Sequence, residues 1–326
     1  MKTIQWGIIG CGDVTEIKSG PAFQLADNSA LAAVMRRNGK LAEDYANRHN
    51  VPKWYDDADQ LIDDENVDAV YIATPPSFHK EYTIKAAKAG KHIYVEKPMA
   101  LNYEECLEMI SVCNENNVPL FVAYYRRMLP KFLRVKEIIS SGALGRIKMF
   151  SVILFDKSFE RDKDKSNWRV NPEVAGGGYF VDLASHTIDI LQYFFGDFIR
   201  VEGTAVNQNM IYKAEDCVSA IFETENKILG TGLWNFGAFR REDRVEIIGD
   251  KGQVTFSVFF SDKIIVETAG GTDSFIIKNP KHIQQPLIQT IVDELNGSGK
   301  CPSTGVTASK TSWVMDKILN NYYGRE

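Results

Sequence analysis

The chain has 326 residues, more than one domain usually holds, with 44% hydrophobic and 25% charged residues and a formal net charge of -5, so two globular domains are expected. That balance excludes a disordered chain, provides no extended basic stripe for nucleic acid and contains no apolar run of membrane-spanning length. Five cysteines, Cys11, Cys106, Cys113, Cys217 and Cys301, show neither CxxC nor Cys/His spacing, and the chain enters a strand without an apolar leader; a reducing cytoplasm and no bound metal are expected.

Residues 3–9 read as a buried strand running into Gly10-Cys11-Gly12. Gly10 permits a tight turn, and Gly12 lets the backbone approach a pyrophosphate, whose charge then rests on the amides of Asp13 and Val14 at the opening of the next helix. A second apolar strand, residues 30–35, follows at the spacing this dinucleotide fingerprint requires. It ends in Met35-Arg36-Arg37, with no carboxylate for the ribose hydroxyls. Two guanidinium groups can fork onto a 2′-phosphate or stack on adenine, so NADP is expected over NAD, with NAD possible.

Further strands at 69–73, 93–96 and 120–123 alternate with helical spacing at 79–89 and 103–116, where Cys106 and Cys113 share one buried face. The pattern predicts an α/β domain over residues 1–123, a doubly wound parallel sheet with a dinucleotide site. Loops at the carboxyl ends of its strands line the crevice, which brings Thr74 and Pro75, and Glu96 and Lys97, to the cofactor; His79, which opens the following helix, is a further cofactor candidate, although ordinary capping or packing explains it as well.

After residue 124 the pattern changes. A helix at 130–140, a strand at 146–155, a mixed-charge loop at 156–165 and a helix at 179–195 precede strands at 200–207, 216–223, 228–235, 244–249, 253–260 and 263–268, and helices at 286–296 and 307–320 close the chain. Residues 124–326 are therefore expected to form an α+β domain with a large open, mostly antiparallel sheet. Its strands carry apolar residues on both parities, Phe256, Phe259 and Phe260 among them, which predicts burial against a second copy as a homodimer or homotetramer.

In the stretch 176–189, Asp182 and His186 lie four residues apart and would share a helix face, with Asp189 nearly in line. The three glycines before them let the backbone pass close to a ligand. A histidine beside carboxylates can exchange a proton near neutrality, as interconversion of an alcohol and a carbonyl requires.

Taken in order, Gly7-Ile8-Ile9-Gly10-Cys11-Gly12, Ala73-Thr74-Pro75, Gly90 through Pro98, Tyr124-Tyr125-Arg126-Arg127, Trp168-Arg169 and the 176–189 block resemble the Gfo/Idh/MocA oxidoreductases over essentially the whole chain. The resemblance implies a Rossmann domain followed by an α+β domain whose sheet packs in the oligomer, with a sugar, polyol or related small molecule lodged between nicotinamide and that sheet. It also implies roles. Lys97 touches the reacting hydroxyl and the nicotinamide ribose, His186 is general acid or base, Asp182 holds substrate, and Glu96 positions the nicotinamide side, with a Lys97-Pro98 bond that is cis.

By the same resemblance Tyr124 and Arg126 face substrate, and Arg127, Trp168 and Arg169 face cofactor, although a structural or interface role suits each arginine and the tryptophan equally. Which of Lys97 and His186 transfers the proton stays open. Departures from the family pattern are Thr15 in the glycine loop, Ala184, and Met35, which puts cofactor discrimination on Arg36 and Arg37. The expected function is hydride transfer between NAD(P) and a carbinol or carbonyl carbon; the alternatives are an enzyme that retains its cofactor and a non-catalytic nucleotide sensor on the same fold.

Overall fold

A computed structural model describes residues 1–157 and 167–324; most of the loop expected at 156–165 lies outside the described residues. The chain divides into two compact units, residues 1–129 with 280–309, and residues 130–279 with 310–326. The expected division near residue 123 thus misses one feature: a segment from the end of the chain returns to the first unit.

The first unit holds β1 (Ile4–Ile9), β2 (Ser29–Met35), β3 (Lys53–Tyr55), β4 (Ala69–Ile72), β5 (His92–Val95) and β6 (Leu120–Val122). They form a parallel sheet in the order β3-β2-β1-β4-β5-β6. The order reverses beside β1, which opens the crevice where such sheets bind ligands. β4 is buried at every residue, as a strand covered on both faces must be. One face packs Ile9, Met35, Leu61, Val70, Ile72, Ile93, Val95 and Met109 with Cys106 and Cys113. The other carries aromatic rings: Trp6 lies 4.8 Å from Phe23, Phe23 5.2 Å from Tyr71, and Tyr71 4.9 Å from Tyr94 between ring centroids.

The returning segment brings the helix Gln285–Leu295, whose Leu287, Ile288, Ile291 and Val292 are buried. It then extends the sheet edge, where Val122 N donates to Ser303 O at 3.1 Å and Ser303 Oγ to Val122 O at 2.7 Å.

The second unit contains β7 (Ile147–Phe155), β8 (Phe198–Val206), β9 (Cys217–Thr224), β10 (Leu229–Asn235), β11 (Glu242–Gly249), β12 (Gly252–Phe256), β13 (Lys263–Thr268) and β14 (Gly271–Ile276). Their order is β14-β13-β12-β11-β7-β10-β9-β8. Only β7 and β10 pair in parallel; the remaining neighbours are antiparallel. The helices Pro130–Ser140 and Ser185–Phe195 bury apolar residues in this unit, with Phe132 6.1 Å from Phe256 and Phe195 5.9 Å from Phe150.

The strand expected at 253–260 ends at Phe256, so Phe259 and Phe260 stand in the turn beyond it. Asp243 shapes that turn by accepting the amides of Phe259 at 2.5 Å and Phe260 at 3.0 Å. Exposed apolar residues nevertheless line the sheet elsewhere: Met149, Ile221, Leu229 and Leu233 are 41%, 49%, 58% and 48% exposed on adjacent strands. No helix among the described residues is long and apolar enough to cross a membrane.

Candidate active site

In the first unit, the predicted cofactor residues other than Arg127 lie at or just past the carboxyl ends of β1, β2, β4 and β5. Gly10 has φ +89, and a Cβ there would stand 2.9 Å from Thr74 Cγ2 and 3.1 Å from the Thr74 amide, so glycine is required by conformation and by space. The amides of Gly10 and Cys11 donate to Met35 O at 2.9 and 3.1 Å, tying the turn to the end of β2. Thr15 closes it: its hydroxyl donates to Gly12 O at 2.8 Å and accepts from Gly12 N at 3.0 Å, while its carbonyl accepts from Tyr45 Oη at 2.8 Å. Asp13 and Val14 then open the helix Asp13–Ile17. Burial pushes the Cys11 thiol up to about 11, so it stands beside the turn as a neutral, inert group.

Arg36 and Arg37 are exposed past β2, and the Arg37 guanidinium lies 5.2 Å from the ring centroid of Phe78. Thr74 Oγ1 is buried and has no hydrogen-bond partner among the described residues. A buried orphan hydroxyl against the glycine turn is what a site for a dinucleotide's polar groups presents, and the residues present fit that group.

His79 is wholly buried, with one ring nitrogen 2.8 Å from Thr74 O and the other 3.0 Å from Pro98 O. Burial lowers its pKa. It joins the Thr74-Pro75 turn to the Lys97-Pro98 turn and has no face left for a ligand, which narrows its expected cofactor role to holding these loops together.

At the end of β5 the Glu96 amide continues the ladder to Ile72 O at 2.9 Å, and the Lys97-Pro98 peptide is cis. Within residues 93–100 Lys97 alone is half-exposed while every neighbour is buried. Its amide donates to Glu96 Oε2 at 3.0 Å. Glu96 Oε1 accepts from Tyr71 Oη at 2.5 Å and from Gln284 Nε2 at 2.6 Å. Sequence reasoning missed both donors. The signal for Tyr71 was present, since a phenol in a wholly buried strand needs a polar partner.

Tyr124 is fully buried in the first unit's core. Arg126 lies over the Tyr125 ring at 5.2 Å. Arg127 is buried and donates to Pro302 O at 2.6 Å, so the returning segment engages it.

In the second unit, Asp182 lies in a π-helical turn, Phe180–Ala184, and His186 in the helix Ser185–Phe195 that follows. The continuous helix expected over 179–195 is therefore widened at Asp182, a distortion that recurs at functional sites. Asp182 Oδ2 lies 3.7 Å from Arg169 Nε, and the Arg169 guanidinium stacks 4.6 Å from the Trp168 ring. His186 is 3% exposed, with Phe259 edge-on at 6.1 Å.

The glycines before this helix serve the protein itself. A Cβ on Gly178 would meet Glu215 O at 2.8 Å, and Gly178 N donates to the buried Glu215 Oε1 at 2.9 Å. The close backbone approach expected toward a ligand is thus, at Gly178, an approach to a carboxylate that fixes the start of the helix.

Comparison with known proteins agrees with this organisation. Residues 4–124 match the oxidoreductase family with an NAD-binding Rossmann fold, and residues 132–255 match the GFO/IDH/MocA C-terminal domain. An oxidoreductase of Formosa agariphila, named P35, is 38% identical over 316 residues, 96% of this chain and 97% of that one. The myo-inositol 2-dehydrogenase of Thermotoga maritima is 26% identical, covering 82% of this chain and 78% of its own. A solved structure of levoglucosan dehydrogenase in complex with NADH and levoglucosan has a similar fold, with a TM-score of 0.86 at 24% identity over 99% of this chain and 98% of that one. The glycine turn, the Glu96-Lys97-Pro98 end of β5 and the two matched domains place this chain in the Gfo/Idh/MocA family of oxidoreductases.

Proposed function

We propose that the protein is an NADP-preferring oxidoreductase interconverting a carbinol and a carbonyl carbon of a sugar, polyol or related small molecule. The observation that carries this reading is the half-exposed Lys97 in an otherwise buried turn, held beside a glycine turn shaped for a dinucleotide. The relatives named for myo-inositol and levoglucosan support the substrate class. When bound, the dinucleotide supplies or accepts hydride at nicotinamide C4.

Gly10, Gly12, Asp13 and Val14 receive the pyrophosphate. Thr74, Pro75 and Glu96 shape the nicotinamide half, with Arg127, Trp168 and Arg169 as further cofactor contacts. The Lys97 ammonium holds the reacting oxygen by a hydrogen bond and offsets its negative charge. His186 exchanges the hydroxyl proton, while Asp182 and Arg126 orient substrate; Tyr124, buried in the first unit's core, supports Arg126 from behind.

A panel of polyols, aldoses and anhydrosugars assayed by nicotinamide absorbance tests the reading. Turnover of at least one polyhydroxyl substrate is expected, and binding of NADPH without turnover of any would favour a nucleotide sensor.

Cofactor choice rests on Arg36. Its exposed guanidinium follows β2 with no carboxylate at Met35 or Arg37, so a 2′-phosphate gains a charged hydrogen bond that NAD cannot make. Arg36→Ala is expected to weaken NADPH binding roughly 10- to 100-fold in fluorescence titration and to leave NADH nearly unchanged. Equal losses would remove the phosphate role.

The second unit is the oligomerisation domain in this proposal, with a second copy covering Met149, Ile221, Leu229 and Leu233 in a homodimer or homotetramer. These side chains are apolar yet exposed on neighbouring strands, and covering them removes apolar surface from water on both copies. Leu233→Lys should shift the mass measured by light scattering toward the monomer; an unchanged mass would place the interface elsewhere. The five free thiols suit a reducing cytoplasm.

A further inference from the structure

We infer that Gln284, carried into the first unit by the returning segment, is a positioning residue that sets Glu96 and through it Lys97; this rests on the catalytic reading of Lys97 above. Gln284 is wholly buried and lies 188 residues from Glu96 in sequence. Its amide is oriented from both sides. Oε1 accepts from Tyr94 Oη at 2.7 Å, which turns Nε2 toward Glu96 Oε1 at 2.6 Å.

The backbone of Gln284 is anchored as well, its amide donating to Lys18 O at 3.1 Å and its carbonyl accepting from Ile288 N at 3.0 Å. Glu96 thus has one carboxylate oxygen taken by two donors, Tyr71 and Gln284, and the other turned to the Lys97 amide. Because the Lys97 amide is fixed by this carboxylate, rotation of the carboxylate moves the chain atoms that carry the lysine. A displacement of about 1 Å in such a group is worth about 10²-fold in rate.

The titratable groups that bear on Glu96 are Tyr71 on β4, Tyr94 on β5 and His79 on the helix His79–Lys88, together with the neighbouring Lys97. Both tyrosines are held protonated by burial, so neither introduces a titration near neutrality. Gln284→Glu would change that. It keeps the shape of the side chain but sets a second carboxyl where the amide donated, and two buried carboxyls at this separation share a proton rather than ionise together.

With the shared proton in place the hydrogen bond to Glu96 survives; without it the two groups repel and Glu96 turns. The expected result for Gln284→Glu is kcat near that of the unsubstituted enzyme at low pH, with a new descending limb at higher pH. Gln284→Leu, which cannot carry a proton, should lower kcat about 10²-fold with no new limb. A purely structural glutamine would give neither pattern in kcat.

Lys97→Met in the same series separates the two ideas. If it abolishes turnover while Gln284→Glu keeps both the original kcat and the original pH profile, the positioning role is wrong and the catalytic lysine stands. If Lys97→Met turns over normally, the catalytic reading itself fails. Should Gln284→Glu not fold, Tyr94→Phe removes only the oxygen that orients the amide; a loss in kcat of roughly five- to tenfold with substrate KM unchanged is expected, and an unchanged kcat would overturn the inference.

Discussion

Lys97→Met is expected to lower kcat by about 10²- to 10³-fold while NADPH still binds. The side chain of Lys97 is half-exposed, yet residues 93–96 and 98–100 around it are buried. The chain therefore presents one ammonium from a turn of buried neighbours, where it meets less water than a surface lysine and, in the proposed role, would stabilise a developing alkoxide more strongly.

The substitution keeps most of the apolar stem and removes only the charge and its three donors. Because Lys97 is held through its backbone, by the bond from its amide to Glu96, the fold should tolerate the change with a stability loss within about 0.5 kcal/mol. Steady-state kinetics, a dinucleotide titration and a thermal melt on one preparation separate the outcomes. Lost turnover with retained binding and melting is the expected result; normal turnover removes Lys97 from the chemistry. Lys97→Arg should recover little, since a planar fork does not reproduce a compact point charge.

The same turn shows how far local sequence reaches. Apart from β3, the strands of the parallel sheet are legible because each is a short, largely buried apolar run, and Cys106 and Cys113 are buried at the helical spacing that predicts it. β14 is hidden because Gly271–Ile276 is an exposed edge strand with no buried alternation, and β3 because three residues carry no period. Asp182 and His186 are four apart in any helix, so the π turn at Phe180–Ala184 leaves no trace in their spacing.

The support of Glu96 is illegible for another reason. Gln284 has an ordinary local setting at the start of an amphipathic helix, and what makes it special is a partner 188 residues away. The apolar pattern of Gln285–Leu295 says that one face is covered but not which unit covers it. Long-range hydrogen bonds between buried polar groups follow from the assembled fold, and a periodic reading that counts Tyr71 and Tyr94 as apolar passes over their hydroxyls.

His186→Asn tests the proton step separately from the charge step. The ring is 3% exposed and packs 6.1 Å from Phe259 in a turn fixed by Asp243, so its orientation is set before substrate arrives. Asparagine keeps hydrogen-bonding capacity but cannot exchange a proton, and kcat should fall about 10²- to 10⁴-fold. The double variant then tests whether the two groups act as a unit or independently. If Lys97 holds the same oxygen whose proton His186 exchanges, removing either largely disables that step, and the combined loss should stay close to the larger single loss. Multiplicative losses would mean that the two groups lower the barrier independently, with the lysine responsible for charge alone.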